Sequence, residues 1–141
     1  MQHVKKEMRG PLDADADATR PILVVDDDED LLEVLVDLLA AAGYTVGWAR
    51  NGQDALSEIE KGGLPSVIFL DMHMPVMTGA EFLERRMRDR ELRKVPVVVM
   101  SAHAVTFSRS AFGVVDVIVK PFSFDDLLRA AKRHTGSAIT H

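Results

Sequence analysis

Four apolar runs of this sequence end on polar groups that could do chemistry. Ile22–Val25 runs into Asp26, Asp27 and Asp28, and 67–70 runs into Asp71. Residues 97–100 run into Ser101, and Val114–Val119, interrupted by Asp116, runs into Lys120 and Pro121. Short apolar runs bounded by turn residues read as buried strands, and open α/β sheets bind ligands at the carboxyl ends of their strands. If these strands are parallel neighbours, one edge gathers Asp26, Asp27, Asp71, Ser101 and Lys120. Three carboxylates in such company do not all stay ionised without a cation. A compact set of hard oxygen ligands suits Mg²⁺, and an ammonium and a hydroxyl beside it are donors for phosphoryl oxygens. The chemistry indicated is phosphoryl transfer onto a carboxylate, with Asp71 as nucleophile. Taken singly, each residue has a plainer explanation: a strand-end Asp caps a helix, Ser101 is a turn residue, and Lys120 is a surface charge. The combination carries the reading.

The elements that position these residues can be traced along the chain. A helix over about 28–42, with Leu32, Leu35, Val36 and Leu39 on its core face, stops at Gly43. A short strand over 44–48 follows. Asn51-Gly52 opens a second helix with Ala55, Leu56 and Ile59 on one face, ended by Gly62-Gly63. Thr78 and Glu81 form a capping box that starts a third helix. Its far end carries Arg85, Arg86, Arg88, Arg90, Arg93 and Lys94, and reads as a solvated, dipole-compensating terminus. A fourth strand spans 95–100. The fourth helix, over 104–112, is rich in mediocre helix formers. Ser123 caps the last helix, which is expected to bury Phe124, Leu127, Leu128 and Ala131. Strand and helix alternate five times, the pattern of a parallel sheet with helices on both faces.

Composition narrows the function. With 141 residues, 47% hydrophobic and 28% charged, the chain suits one globular domain. It has no cysteine, which excludes disulfides and thiolate chemistry. A net charge of −5 argues against a nucleic-acid surface. No run approaches the length of a membrane span, and Met1 to Arg9 lack the apolar core of a signal peptide, so the expectation is a cytoplasmic protein. Residues 1–20, with their alternating Asp and Ala, read as a solvated tail, and 135–141 as a second tail. The ordered unit is expected over 21–134.

The set Val25-Asp26-Asp27, Asp71 to Pro75, Thr78-Gly79, Ser101-Ala102 and Lys120-Pro121-Phe122 resembles, in order, the receiver domain of two-component response regulators. The resemblance implies a flavodoxin-like, doubly wound α/β fold with a five-stranded parallel sheet in the order 2-1-3-4-5. It implies that Asp71 accepts a phosphoryl group from a histidine kinase or phosphotransfer protein. Mg²⁺ would be held by Asp26, Asp27, Asp71 and the backbone carbonyl of His73. Lys120 and Ser101 would contact the phosphoryl oxygens, and Pro121 would follow a cis peptide bond. The output surface would be the fourth helix, fifth strand and fifth helix, meeting a partner or a second copy. Such a protein is no turnover enzyme; it catalyses only its own phosphoryl transfer and autodephosphorylation.

Two features depart from the family pattern. Val117 stands where receivers commonly carry an aromatic ring that moves with the hydroxyl of the Ser101 position. Ser101 and Lys120 are also closer in sequence than is usual, a shortening that must fall in the fourth helix or its loops. His73 and His103 each lie two positions beyond a site residue and are expected to modulate the lifetime of the phosphoryl group.

Other readings fit less well. An EF-hand loop from Asp26 would place Leu31 where glycine is needed. A haloacid-dehalogenase-type phosphatase would use Asp26 as nucleophile and Asp28 as general acid, but Glu29-Asp30 does not continue its motif and Asp125-Asp126 fits a helix start. A phosphate-independent interaction module would not need the full set of acceptor-site residues. The short stretch after the last helix leaves two expectations, a stand-alone receiver or one domain of a longer protein.

Overall fold

The computed structural model describes residues 20–102 and 112–135. Five parallel strands form one sheet: β1 (Ile22–Val25), β2 (Val46–Ala49), β3 (Val67–Asp71), β4 (Val97–Ser101) and β5 (Val114–Val119). Their order is β2-β1-β3-β4-β5, as the resemblance implied. Helices α1 (Glu29–Ala41), α2 (Gly52–Gly62) and α3 (Gly79–Met87) follow the first three strands, and a C-terminal helix spans Phe124–His134. β1, β3 and β4 are buried throughout, which is why they read as continuous apolar runs.

Alternating strand residues feed two cores. One face sets Leu23, Val25, Ile68, Leu70, Val97 and Val99 against Ala55 of α2 and Phe82 and Leu83 of α3. The other sets Ile22, Val24, Phe69, Val98 and Met100 against Leu32, Leu35 and Leu39 of α1 and Leu127 and Ala131 of the C-terminal helix. Each of these four helices begins at a side-chain cap. Asp28 Oδ1 accepts from the Leu31 amide at 3.1 Å, and Asn51 Oδ1 from the Asp54 amide at 2.8 Å. Thr78 with Glu81, and Ser123 with Asp126, form capping boxes. Each cap satisfies an amide that has no partner within the helix.

The structure corrects several boundaries. β2 begins at Val46, because the Tyr44 amide donates a hydrogen bond to the Leu39 carbonyl and the Tyr44 side chain joins the core that includes Leu35 and Leu39 of α1. α3 ends at Met87, and a short 3₁₀ turn, Leu92–Lys94, precedes a β4 that begins at Val97. The basic stretch is not wholly solvated, since Arg86 is buried. Phe124 is exposed, contrary to expectation; Ala130 is buried in the C-terminal helix with Leu127 and Ala131. The predicted fourth helix lies almost wholly outside the described residues, as does His103.

Candidate functional site

Register brings the polar strand ends together. β1 pairs Val25 with Leu70 of β3, so Asp26 and Asp71, the next residue of each chain, are neighbours. β4 pairs Ser101 with Val119, one residue before Lys120, and the Lys120 amide donates to the Ser101 carbonyl at 2.8 Å. Asp26, Asp71 and Ser101 are buried, whereas Asp27 is exposed and gives the cluster a face toward solvent.

Oxygens of Asp26, Asp27 and Asp71 lie within 4.8 Å of one another. Lys120 Nζ donates to Asp26 Oδ2 at 2.8 Å and stands 3.7 Å from Asp71 Oδ1. The other Asp26 oxygen accepts from the Asp28 amide at 3.0 Å, and Asp71 Oδ1 accepts from the His73 amide at 3.3 Å. Burial, and then the charge of Asp26, push the Asp71 carboxyl up to about 6, against the pull of the His73 amide and Lys120. Burial alone would lower the Lys120 ammonium, but its bond to Asp26 and the charges of both carboxylates hold it above its ordinary value. One ammonium thus serves a compact all-oxygen donor set that remains short of positive charge. That chemistry fits a small, hard divalent cation.

The loop from β3 to α3 is shaped by two residues. The Gly79 amide donates to the Met72 carbonyl at 3.2 Å, and a Cβ on Gly79 would meet Met72 Cα at 2.7 Å, so only glycine allows the loop to close on itself. At the tip, the Met77 amide donates to the Pro75 carbonyl at 2.6 Å across Val76, whose φ is +68°. Tight three-residue turns of this hand are rare and strained, and a β-branched residue at positive φ costs about 1–2 kcal/mol. Val76 is also 80% exposed, so it sits at the rim with no packing to offset that strain.

The family described as the response regulator receiver domain matches residues 22–132. The chain belongs to this family. Among curated relatives of this receiver, a probable transcriptional regulator, ycf27 of Guillardia theta, is 31% identical over 133 residues, covering 90% of this chain and 51% of its own length. The chain thus spans about half of that relative. The polar-differentiation response regulator DivK of Brucella ovis is 28% identical over 123 residues, covering 85% of this chain and 99% of its own. Among solved structures, the Vibrio cholerae chemotaxis protein CheY4 superposes with a TM-score of 0.73 at 31% identity, covering 82% of this chain and 98% of its own. The receiver domain of sensor histidine kinase PA1611 of Pseudomonas aeruginosa gives 0.74 at 27% identity, covering 84% and 98%, and holds a magnesium ion in its active-site cleft. Receivers are signalling domains of two-component systems, not classical enzymes, and they work with histidine kinases or phosphotransfer proteins. No helix among the described residues is long and apolar enough to cross a membrane.

The structure therefore brings Asp26, Asp27, Asp71, Ser101 and Lys120 to one edge, and the Lys120–Pro121 peptide is cis. His73 is exposed beside Asp71, and Val117 packs against the core shared with α2 and α3. Sequence reasoning missed two charged residues in partly or wholly buried places. Arg86 follows Phe82 by four and Leu83 by three, which puts it on the apolar face of α3; that spacing was the available signal. Asp116 interrupts an apolar run, and such an interruption asks for a partner; Arg133 and His134 supply one.

Proposed function

We propose that this receiver, with residues 21–134 as its signalling unit, takes a phosphoryl group onto Asp71 from a phosphohistidine of a histidine kinase or phosphotransfer protein. The observation that carries this reading is the meeting of three carboxylates within 4.8 Å with Lys120 bonded to Asp26 and close to Asp71. An Asp71 carboxylate oxygen attacks phosphorus, the P–N bond to the donor imidazole breaks, and the departing imidazole takes up a proton. Asp26, Asp27, Asp71 and the His73 carbonyl would hold Mg²⁺, which offsets the charge of the incoming group. Lys120 then exchanges part of its contact with Asp26 for a phosphoryl oxygen, as a compact point charge. Ser101 donates its hydroxyl to another. Water later attacks phosphorus, the P–O bond to Asp71 breaks, inorganic phosphate leaves and the carboxylate is restored.

The readout is assigned to the surface of residues 104–112, β5 and the C-terminal helix, which meets a partner or a second copy. Val115, Val119 and Phe124 are exposed apolar residues on β5 and the start of that helix, which supports the assignment. Val117 has no ring to couple the Ser101 hydroxyl to this surface, so the signal travels through the segment after Ser101 without an aromatic rotor. His73, exposed beside Asp71, and His103, two positions after Ser101 in sequence, are assigned as modulators of phosphoryl lifetime.

The test is incubation with a small phosphodonor, with and without Mg²⁺, followed by intact mass. One phosphoryl adduct is expected on the wild-type protein with Mg²⁺ and none on Asp71→Asn. Equal modification of the two proteins would refute the assignment.

A further inference from the structure

Arg86 is among the largest side chains wholly enclosed by the fold, and no carboxylate among the described residues pairs with it. Backbone carbonyls take the counter-ion's place. Nη1 donates to the Phe112 carbonyl at 2.7 Å. Nη2 donates to the Val95 carbonyl at 2.6 Å and the Arg93 carbonyl at 3.0 Å, with the Gly113 carbonyl at 3.5 Å. One guanidinium thus ties the chain leading into β4 to the chain leading into β5. Gly113, at φ +68°, lies so close that a Cβ there would stand 3.2 Å from Nη1.

The location gives the tie a meaning. β4 and β5 carry Ser101 and Lys120 at their carboxyl ends, whereas Arg86 grips the two chains near their amino ends. Ser101 therefore lies at the acidic site, whereas Phe112 lies at the guanidinium. Arginine keeps its charge in proteins. Withdrawing a carbonyl from it would leave a further nitrogen of a buried charge short of a partner, beside Nε, which already has none. The Phe112–Gly113 junction is thus held by a buried charge as well as by its own backbone.

We propose that Arg86 is a positioning residue that pins the Phe112–Gly113 junction, so that phosphorylation of Asp71 leaves the start of β5 unmoved. This rests on the assignment of Asp71 above. With the junction fixed, β5 keeps its register and Lys120 stays at the site.

Hydrogen exchange on the full chain tests this, comparing wild type with Arg86→Met, with and without beryllium fluoride plus Mg²⁺ as a phosphoryl mimic. Without the mimic, Arg86→Met should exchange at least about tenfold faster over 112–117, with β1 and β3 unchanged. With the mimic, residues 113–117 should not respond in wild type and should respond in Arg86→Met. Identical exchange over 112–117 in the two proteins, or a wild-type response to the mimic over 113–117, overturns the pin. A wild type with no response near Asp71 counts against the Asp71 assignment, while the mimic-free comparison still decides the pin. Should Arg86→Met not fold, Arg86→Lys takes its place, because a single nitrogen cannot span both carbonyl pairs as the fork does. Faster exchange over 112–117 in that variant supports the pin, and wild-type exchange overturns it.

Discussion

The Lys120 ammonium is bonded to Asp26 and only approaches Asp71, the carboxylate that the proposed chemistry uses. It acts as a resident cation in a cluster built for a stronger one. Lys120→Met would leave Asp26 and Asp71 buried without their shared partner, and should cost about 2 kcal/mol of stability in metal-free buffer. Because Mg²⁺ and the ammonium compete for the same oxygens, that deficit should shrink when Mg²⁺ is added. Thermal melts of both proteins with and without Mg²⁺ check this, and a deficit that Mg²⁺ leaves unchanged would contradict it. At this scale the acidic and basic groups were legible because each ends an apolar run, where packing gives no reason for a charge. Arg86 was not, because counting it with its basic neighbours hid the helical spacing that turns it inward. Nothing in the residue types of the Pro75-Val76-Met77 turn announces a positive φ at Val76 either, since valine is among the least suited side chains to adopt one.

Two elements are joined by the cluster at Asp116. This carboxylate on β5 meets Arg133 Nη1 and His134 Nε2 of the C-terminal helix, each at 3.1 Å. Burial would raise Asp116, but the His134 bond, the Val117 amide, and the charges of His134 and Arg133 outweigh burial and hold it below the usual carboxylate range. A carboxylate lowered by folding contributes stability that is fully present above its unfolded value, near 4. That contribution is lost as pH falls through the lower, folded value. Asp116→Asn should therefore lose about 1 kcal/mol at pH 7, a modest figure because Arg133 is more than half exposed. The gap should close on acidification below about pH 4. Urea titrations at pH 7 and pH 3 compare the two proteins, and a gap of equal size at both would show that charge is not what joins these elements. Elements with strong local signals were read closely: β1 and β5 at their observed bounds, and α1 to α3 and the C-terminal helix at their caps. β2 and β4 were misplaced at their starts by two residues. There a tertiary feature decided the boundary: the buried Tyr44 ring in one case, the 3₁₀ turn and Arg86's hold on the Val95 carbonyl in the other.

At the scale of the molecule, strand order came from the resemblance; alternation alone implied parallel strands and left their order open. Once the order is fixed, the site follows from it, because β1 and β3 are neighbours although α1, β2 and α2 lie between them in sequence. The bond between Lys120 and Asp26 has a consequence in this light. It joins residues 94 positions apart, and the donor set between them includes Asp71 from the middle of the chain. No local stretch holds the site; it exists only in chains that are folded from β1 to β5. Ion occupancy is therefore a count of folded molecules. In a urea titration, loss of Mg²⁺ binding and loss of helical circular dichroism should trace one curve, with a midpoint that climbs as Mg²⁺ rises. At a hundred times its dissociation constant, the ion should add about 2.7 kcal/mol. Binding that outlasts the helices would mean that the carboxylates can gather without the sheet. Under the proposed function, signalling competence and global folding would thus be a single equilibrium, and magnesium would weigh on both at once.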